Sequence, residues 1–265
     1  MRLERRVVIV TGASRGIGAA LARELRDAGA RLILVARDET ALRRVAAEGD
    51  ALVAGDITDA STRERILSET LRCFGRVDLL VNNAGVGYYR NSIEAESEEI
   101  RALWELNFFA PLELARLVVP QMLRQARLPD AAEAGMVVNV ASVAGKVTLP
   151  WFSMYSASKF ALCSWTEGLR MEYWSNGIRT LAVCPGYVRT EFQANVLSGA
   201  PPAPLAASRD RFAITPEACA KAVRRGILRN RRTVVTPASS WALVAAAKLL
   251  PGIVQHRLAR INGTA

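Results

Sequence analysis

The sequence predicts an α/β protein, a doubly wound parallel sheet of seven strands with helices on both faces. Three observations lead there. Short aliphatic or β-branched runs recur seven times between longer stretches of helical periodicity. Such continuous runs are how parallel strands buried on both faces read. A glycine-rich turn, Thr11-Gly-Ala-Ser-Arg-Gly-Ile-Gly18, joins the first run to the first helix. Finally, the 265 residues contain no repeat and no linker, so a single domain over 1–265 is expected.

The first strand is Arg6-Val-Val-Ile-Val10, and the helix Ala19–Arg26 after the turn is closed by Gly29. Strand, glycine turn and helix together make a dinucleotide site. Gly12 permits the tight turn, Gly16 a close approach of backbone to phosphate, and Gly18 packing of helix on strand. The helix N-terminus, with Ile17 in its opening, offers free N–H groups to a pyrophosphate. Leu32–Ala36 is the second strand. A carboxylate at its end would select NAD, and a base would accommodate a 2′-phosphate. Here Arg37 follows directly and Arg15 adds a second cation, with Ser14 able to hydrogen-bond the same phosphate. Asp38, one position later, would favour NAD, but it reads as the cap of the helix carrying Thr40–Val45. NADP(H) is therefore the preferred cofactor, with NAD(H) as the alternative.

Ala51–Ala54 is the third strand. It ends in Asp56, placed to accept from an adenine amino group, and Ile57, placed against the ring; a turn aspartate is the plainer reading of Asp56. A helix from about 61 to 74 leads to the strand Val77–Val81 and the small-residue turn Asn82-Asn83-Ala84-Gly85. Residues 98–124 read as one helix, with the polar Asn107 among apolar neighbours and Pro111 kinking it nearby. A loop over 125–135 precedes the strand Met136–Ala141, which ends at Ser142. The helix containing Tyr155 stops at Gly177, and the strand Ile178–Val183 runs into Pro185-Gly186. A substrate loop of about 187–215, rich in proline and alanine from Phe192 on, reads as a mobile segment beside a site. The helix Pro216–Leu228 and the strand Thr233–Thr236 complete the alternation. The strand ends bearing Gly12, Arg37, Asp56, Asn83, Ser142 and Gly186 should gather on one edge.

Composition narrows the chemistry. The net charge is +10, but arginine is spread along the chain, with no basic run and no zinc-finger spacing. Arginine dispersed in this way reads as a compositional bias rather than a nucleic-acid footprint, and an anionic ligand such as a phosphorylated cofactor fits it equally well. The four cysteines are far apart and sit in apolar contexts, like buried thiols, and the only histidine is His256. A disulfide framework, a metal site and a histidine triad are not expected. The N-terminus enters an apolar run at once and does not read as a signal peptide, so a cytoplasmic location is the expectation.

Ser142, Tyr155 and Lys159 carry the chemistry. Tyr155 and Lys159 are four residues apart and share a helix face. A free phenol has a pKa of about 10, and a neighbouring ammonium lowers it. A serine hydroxyl can hold a carbonyl oxygen beside that phenol. Alone, the three also fit packing and a solvated lysine; the glycine turn and the cations at the adenosine end favour chemistry.

In order and separation, Thr11-Gly-x3-Gly-x-Gly18, Asn82-Asn-Ala-Gly85, Asn107, Ser142, Tyr155-x3-Lys159 and Pro185-Gly186 resemble the short-chain dehydrogenase/reductase family over nearly the whole chain. The resemblance implies a single-domain Rossmann fold and a carbonyl reductase or alcohol dehydrogenase. Tyr155 would be the acid/base and Ser142 would orient the substrate oxygen. Lys159 would bind the nicotinamide ribose and depress the tyrosine pKa, and Asn107 would hold a water in a proton relay. Asn83, Ala84, Gly85, Pro185 and Gly186 would line the cofactor cleft, with Val188 and Thr190 at the nicotinamide carboxamide. A homodimer or homotetramer through helices including that of Tyr155 is also implied. The alternatives are an NAD-dependent alcohol or hydroxysteroid-type dehydrogenase, or a dinucleotide-binding regulator without catalysis.

The substrate is a small carbonyl or alcohol, and Val143, Leu149, Trp151, Phe152, Tyr187 and Phe192 suggest an apolar one. The apolar extension at about 238–265 is interrupted by Lys248 and Pro251 and is too short to span a bilayer. Packing on the domain or on a partner subunit is expected there, rather than peripheral membrane contact or a lid.

Overall fold

The computed structural model describes residues 1–201 and 213–260. Residues 202–212 of the segment expected as a substrate loop, and the last five residues of the C-terminal extension, lie outside them. Seven strands form: β1 (Val7–Thr11), β2 (Arg31–Ala36), β3 (Ala51–Ala54), β4 (Leu79–Asn82), β5 (Gly135–Val140), β6 (Ile178–Pro185) and β7 (Thr233–Thr236). They make one parallel sheet in the order β3-β2-β1-β4-β5-β6-β7. The chain builds outward from β1 to β3, then returns to β1's other edge with β4. That reversal opens a crevice at the carboxyl ends of β1 and β4.

Strand alternation splits the core into two layers. Val8, Val10, Leu32 and Leu34 face Leu21 and Leu25 of α1 (Gly16–Arg26) and Val223 and Ile227 of α7 (Pro216–Leu228). Ile9, Ile33 and Val35 face Ile66 of α3 (Ala60–Phe74) and Leu114 and Val118 of α5 (Ala110–Arg124). Burying each such side chain contributes about 1.5–3 kcal/mol. With both faces covered, the strand ends are held at fixed heights. The short α2 (Glu39–Val45) starts at Asp38, whose carboxylate accepts from the Ala41 N–H at 2.9 Å, as expected of a cap.

Two expectations are corrected. The single helix over 98–124 is α4 (Ser97–Trp104) and α5, joined by a wide π turn at Glu105–Phe109. Pro111 follows directly on that π turn, so the helix is irregular beside Asn107, where the proline was expected to disturb it, but as a widened turn. The π turn rotates Asn107 fully into the interior. Among the cysteines, Cys73 is exposed on α3, while Cys163, Cys184 and Cys219 are buried.

A buried polar chain fastens α6 (Ser153–Glu172) to the sheet. The Asn82 amide donates to Asn139 Oδ1 at 2.8 Å and to the Pro111 carbonyl at 3.3 Å. The Asn139 amide donates to Thr166 Oγ1 at 2.8 Å, and that hydroxyl donates to the Leu162 carbonyl at 2.6 Å. Thr180 on β6 donates to the Thr166 carbonyl at 2.8 Å. No helix among the described residues is long and apolar enough to cross a membrane. Asn139→Leu should take one partner from each neighbour and cost about 1–3 kcal/mol, because buried groups then lose a hydrogen bond. Denaturant unfolding with an unchanged midpoint would show that the chain of bonds contributes nothing.

Candidate active site

The crevice is closed by small residues and one hydroxyl. Thr11, at the end of β1, accepts from the Asn83 N–H at 3.0 Å and the Ala84 N–H at 3.1 Å. The Asn83 amide returns two bonds, to the carbonyls of Thr11 at 2.9 Å and Gly12 at 3.1 Å. Gly12 has φ +64°, the left-handed region, and a Cβ there would lie 2.9 Å from the Ala84 Cα. A side chain at Gly18 would collide with the Gly12 carbonyl, and one at Gly16 would lie 3.1 Å from the Thr190 methyl. The glycine turn, the Asn83 turn and the segment after β6 therefore meet at one place. Arg15 provides no side-chain cap to α1, so the first-turn N–H groups keep no side-chain acceptor there. Thr11 was visible in the motif, but its bonding role needs the neighbouring strand.

Ser142 lies two residues past β5 and caps a short 3₁₀ turn, accepting from the Ala144 N–H at 3.0 Å. Tyr155 and Lys159 lie on α6 with side chains buried to 5% and 3% exposure. The Lys159 ammonium is 5.7 Å from the Tyr155 ring centroid and donates to the Val140 carbonyl at 3.2 Å. Asn107 comes to the same place. Its Oδ1 accepts from the Val86 N–H at 2.9 Å, and its amide donates to the Val86 carbonyl at 3.0 Å and to Ser158 Oγ at 3.3 Å. Ser158 in turn donates to the Tyr155 carbonyl at 2.7 Å, a link that sequence reading missed. At Gly85 a Cβ would lie 2.9 Å from Asn107 Oδ1 and 3.2 Å from the lysine nitrogen. The four residues expected to act together are brought together.

One expectation about them is corrected. A nearby ammonium was to lower the Tyr155 pKa. Instead, burial raises it well above the usual 10.0, and the Ser142 hydroxyl is the group that opposes the rise. The burial has a visible source. Phe152 stacks on the Tyr155 ring at 4.1 Å, Tyr89 stacks on Phe152 at 4.3 Å, and Phe192 meets Tyr155 edge-on at 6.0 Å. Burial likewise pulls Lys159 down from 10.5 to about 8, so it loses its charge near neutral-to-alkaline pH. Of the apolar residues expected there, Phe152, Leu149 and Phe192 cluster with the phenol, and Tyr89, which was not foreseen, joins them. Its segment is held by bonds from the Tyr89 N–H to the Ser198 carbonyl at 3.0 Å and from the Arg90 N–H to the Trp151 carbonyl at 3.0 Å.

At the adenosine end both cations have carboxylate neighbours. Arg37 lies 3.9 Å from Asp56 and is 71% exposed, and Arg15 bonds Glu191 at 3.3 Å. The other Asp56 oxygen accepts from the Thr58 N–H at 2.9 Å and its hydroxyl at 2.8 Å, so the turn role is real. Ile57 packs into the core near Val53 and Ile66 and presents little side chain to a ring. Beyond β6, Gly186 donates to the Thr236 carbonyl at 2.8 Å. Val188 pairs with Ile214, and the Thr190 hydroxyl accepts from the Phe192 N–H at 3.3 Å.

Comparison with known proteins places this geometry. Residues 6–200 match the family model for short chain dehydrogenases. "Dehydrogenase/reductase SDR family member 7B" of Bos taurus is 33% identical over 204 residues, 72% of this chain and 61% of that protein. "Ketoacyl reductase HetN" of Nostoc is 34% identical over 192 residues, 70% of this chain and 64% of that protein. The chain thus spans less than two thirds of either relative. Among solved structures, a short chain dehydrogenase from Burkholderia cenocepacia in complex with NADP superposes with a TM-score of 0.80 at 28% identity, covering 97% of this chain and 99% of that one. One from Burkholderia phymatum in complex with NAD gives 0.81 at 26% identity, covering 94% of each chain.

The buried lysine has a measurable signature. Its pKa is lowered on folding, so the folded chain binds fewer protons than the unfolded chain between pH 8 and 10.5. Its penalty is full below about pH 8, and stability should rise through that window. Lys159→Met should melt higher than wild type at pH 7, with a difference that narrows by pH 9.5. A constant difference would mean that the ammonium is not strained by burial.

Proposed function

We propose that this chain, which belongs to the short-chain dehydrogenase/reductase family and is an NAD(P)-dependent oxidoreductase, interconverts a small apolar carbonyl and its alcohol with NADP(H). The observation that supports this most is the convergence of Ser142, Tyr155, Lys159 and Asn107 on the Gly85 side of the crevice. The residues suit a dinucleotide. Gly12 and Gly16 both take positive φ, a Cβ at Gly12 would press on the Ala84 backbone, and the α1 N-terminus has no side-chain cap.

In this reading Gly12, Ser14, Arg15, Gly16, Ile17 and Gly18 hold the pyrophosphate and the adjoining ribose phosphate. Arg37 adds charge at the 2′-phosphate, and Asp56 with the Ile57 backbone borders the adenine. Asn83, Ala84, Gly85, Lys159, Pro185, Gly186, Val188 and Thr190 surround the nicotinamide end. When bound, the cofactor supplies or accepts the hydride.

The protein's own residues handle the proton. Ser142 holds the substrate oxygen, and Tyr155 Oη gives up its proton as charge develops on that oxygen. A raised pKa keeps the phenol protonated until then. Lys159 holds a ribose and offsets negative charge on the phenolate. Asn107 would hold the water of a proton relay, while its side-chain bonds to Val86 and Ser158 keep the first turn of α6 in position. Phe152 stacked on the phenol and Phe192 edge-on to it support an apolar substrate. Exposed Phe160 and Met171 on α6, with Trp174 just beyond its end, support pairing of copies through that helix.

An NAD-dependent reading is favoured by the carboxylates facing Arg15 and Arg37. Exposed pairs of this kind are worth about 0–1 kcal/mol, so a phosphate dianion competes for both arginines. Tyr155→Phe should lower turnover about 10²- to 10⁴-fold while cofactor fluorescence titration stays near wild type; an unchanged rate would remove Tyr155 from the chemistry. Arg37→Asp should weaken NADPH about tenfold and leave NADH little altered. Equal affinities of the wild type for the two cofactors would refute the NADP(H) preference.

A further inference from the structure

We propose that α8 (Ser240–Leu249) and α9 (Pro251–Arg260) form a docking surface for an anionic phospholipid membrane, lying flat in its interface. The expected packing of this extension on the domain is only partial. Val244 is the one buried residue of α8, and α9 buries none. Val244, Ala247 and Leu258 pack against the core and fix how the helices sit. At about 100° per residue, the rest of α8 then faces outward. Trp241 and Leu249 lie on one flank and Leu243 on the other, all exposed, with Lys248 as the only charge of the helix. Leu249 is 78% open and Ile253, in the first turn of α9, 57%. Apolar surface this extended, rimmed by cations, marks an interaction site rather than ordinary solvent exposure.

Charge selects the occupant. Glu217 is the last acidic residue of the chain, and nine basic ones follow it, at 221, 224, 225, 229, 231, 232, 248, 257 and 260. A cavity of about 280 Å³ opens at the foot of α8, where Lys146, Arg232, Lys248 and Glu167 meet Trp241 and Val244. Glu167 bonds Arg232 at 3.0 Å and pairs with Lys146 at 3.6 Å. Lys248 has no ion pair among the described residues. Three cations against one carboxylate leave a net positive pocket beside an indole, the side chain that settles at membrane interfaces. Two copies facing each other here would oppose like charges, whereas a phosphate-rich surface supplies the missing sign. Apolar burial and electrostatic attraction together give the two signals that interfacial helices use.

Co-sedimentation of the full chain with vesicles tests this. Vesicles of roughly three parts phosphatidylcholine to one part phosphatidylglycerol should bind the chain about tenfold better than phosphatidylcholine alone, and high salt should remove most of that preference. The combined Trp241→Ser, Leu249→Ser and Ile253→Ser variant should bind about tenfold less well. Lys248→Glu, which removes no packing, should cost about fivefold and keeps the test decisive if the triple variant melts early. Wild-type binding that is absent, indifferent to lipid charge, or untouched by both variants overturns the proposal. So does a triple variant that changes only the sedimenting mass of the protein, which would assign the surface to a second copy of the chain.

Discussion

The contact on which the site depends is between Gly18 and the Gly12 carbonyl, across which the start of α1 presses on the end of β1. Any side chain at Gly18 would push the helix off the strand, and the uncapped N–H groups would then no longer point into the crevice. Asn83 and Thr11 clamp the same place from the β4 side with four hydrogen bonds. Their geometry needs β1 and β4 side by side, which the strand order supplies. Glycine is permissive in isolation, so the rigidity has to come from neighbours. Here it comes from two strands held in register by layers of aliphatic side chains.

Around the phenol, the same burial both loads the site and prepares it. Packing Tyr155 under Phe152 excludes water, which favours the neutral phenol and disfavours the charged lysine. An arrangement that merely maximised stability would not put an ammonium there. The polar chain from Asn82 through Asn139 to Thr166 holds α6 against the sheet, so the helix cannot relax to let Lys159 reach solvent. The π turn does the corresponding job on the other side by holding Asn107 in the interior. Such turns inside helices often occur at functional sites.

What the sequence reveals is what is local. The glycine spacing, the Tyr155–Lys159 interval and the Asp38 cap are each set within a few residues, and all can be read directly. The alternation announces a doubly wound parallel sheet, but the order of its strands and the place of the reversal come from the structure. Features requiring a tertiary partner were not legible. Glu191 lies 176 positions from the Arg15 it bonds, and no pattern joins them. Pro111 drew attention to a kink, while the actual irregularity is a widened turn just before it, without its own signature. The direction of the tyrosine shift depends on how dry its surroundings are, which residue spacing does not record.

The strand order also bears on how the chain is made. Val7 pairs with Arg31, 24 residues later (31 − 7), but Val8 meets its other neighbour, Leu79, only 71 residues later (79 − 8). A chain emerging from its N-terminus therefore completes the glycine turn long before the strand that locks it. Until then β1 presents an open edge on a mostly aliphatic strand, which is the kind of surface that mispairs. Distant pairing of this sort also slows folding. The cofactor cleft is thus assembled late, although its signature stands at the beginning of the sequence.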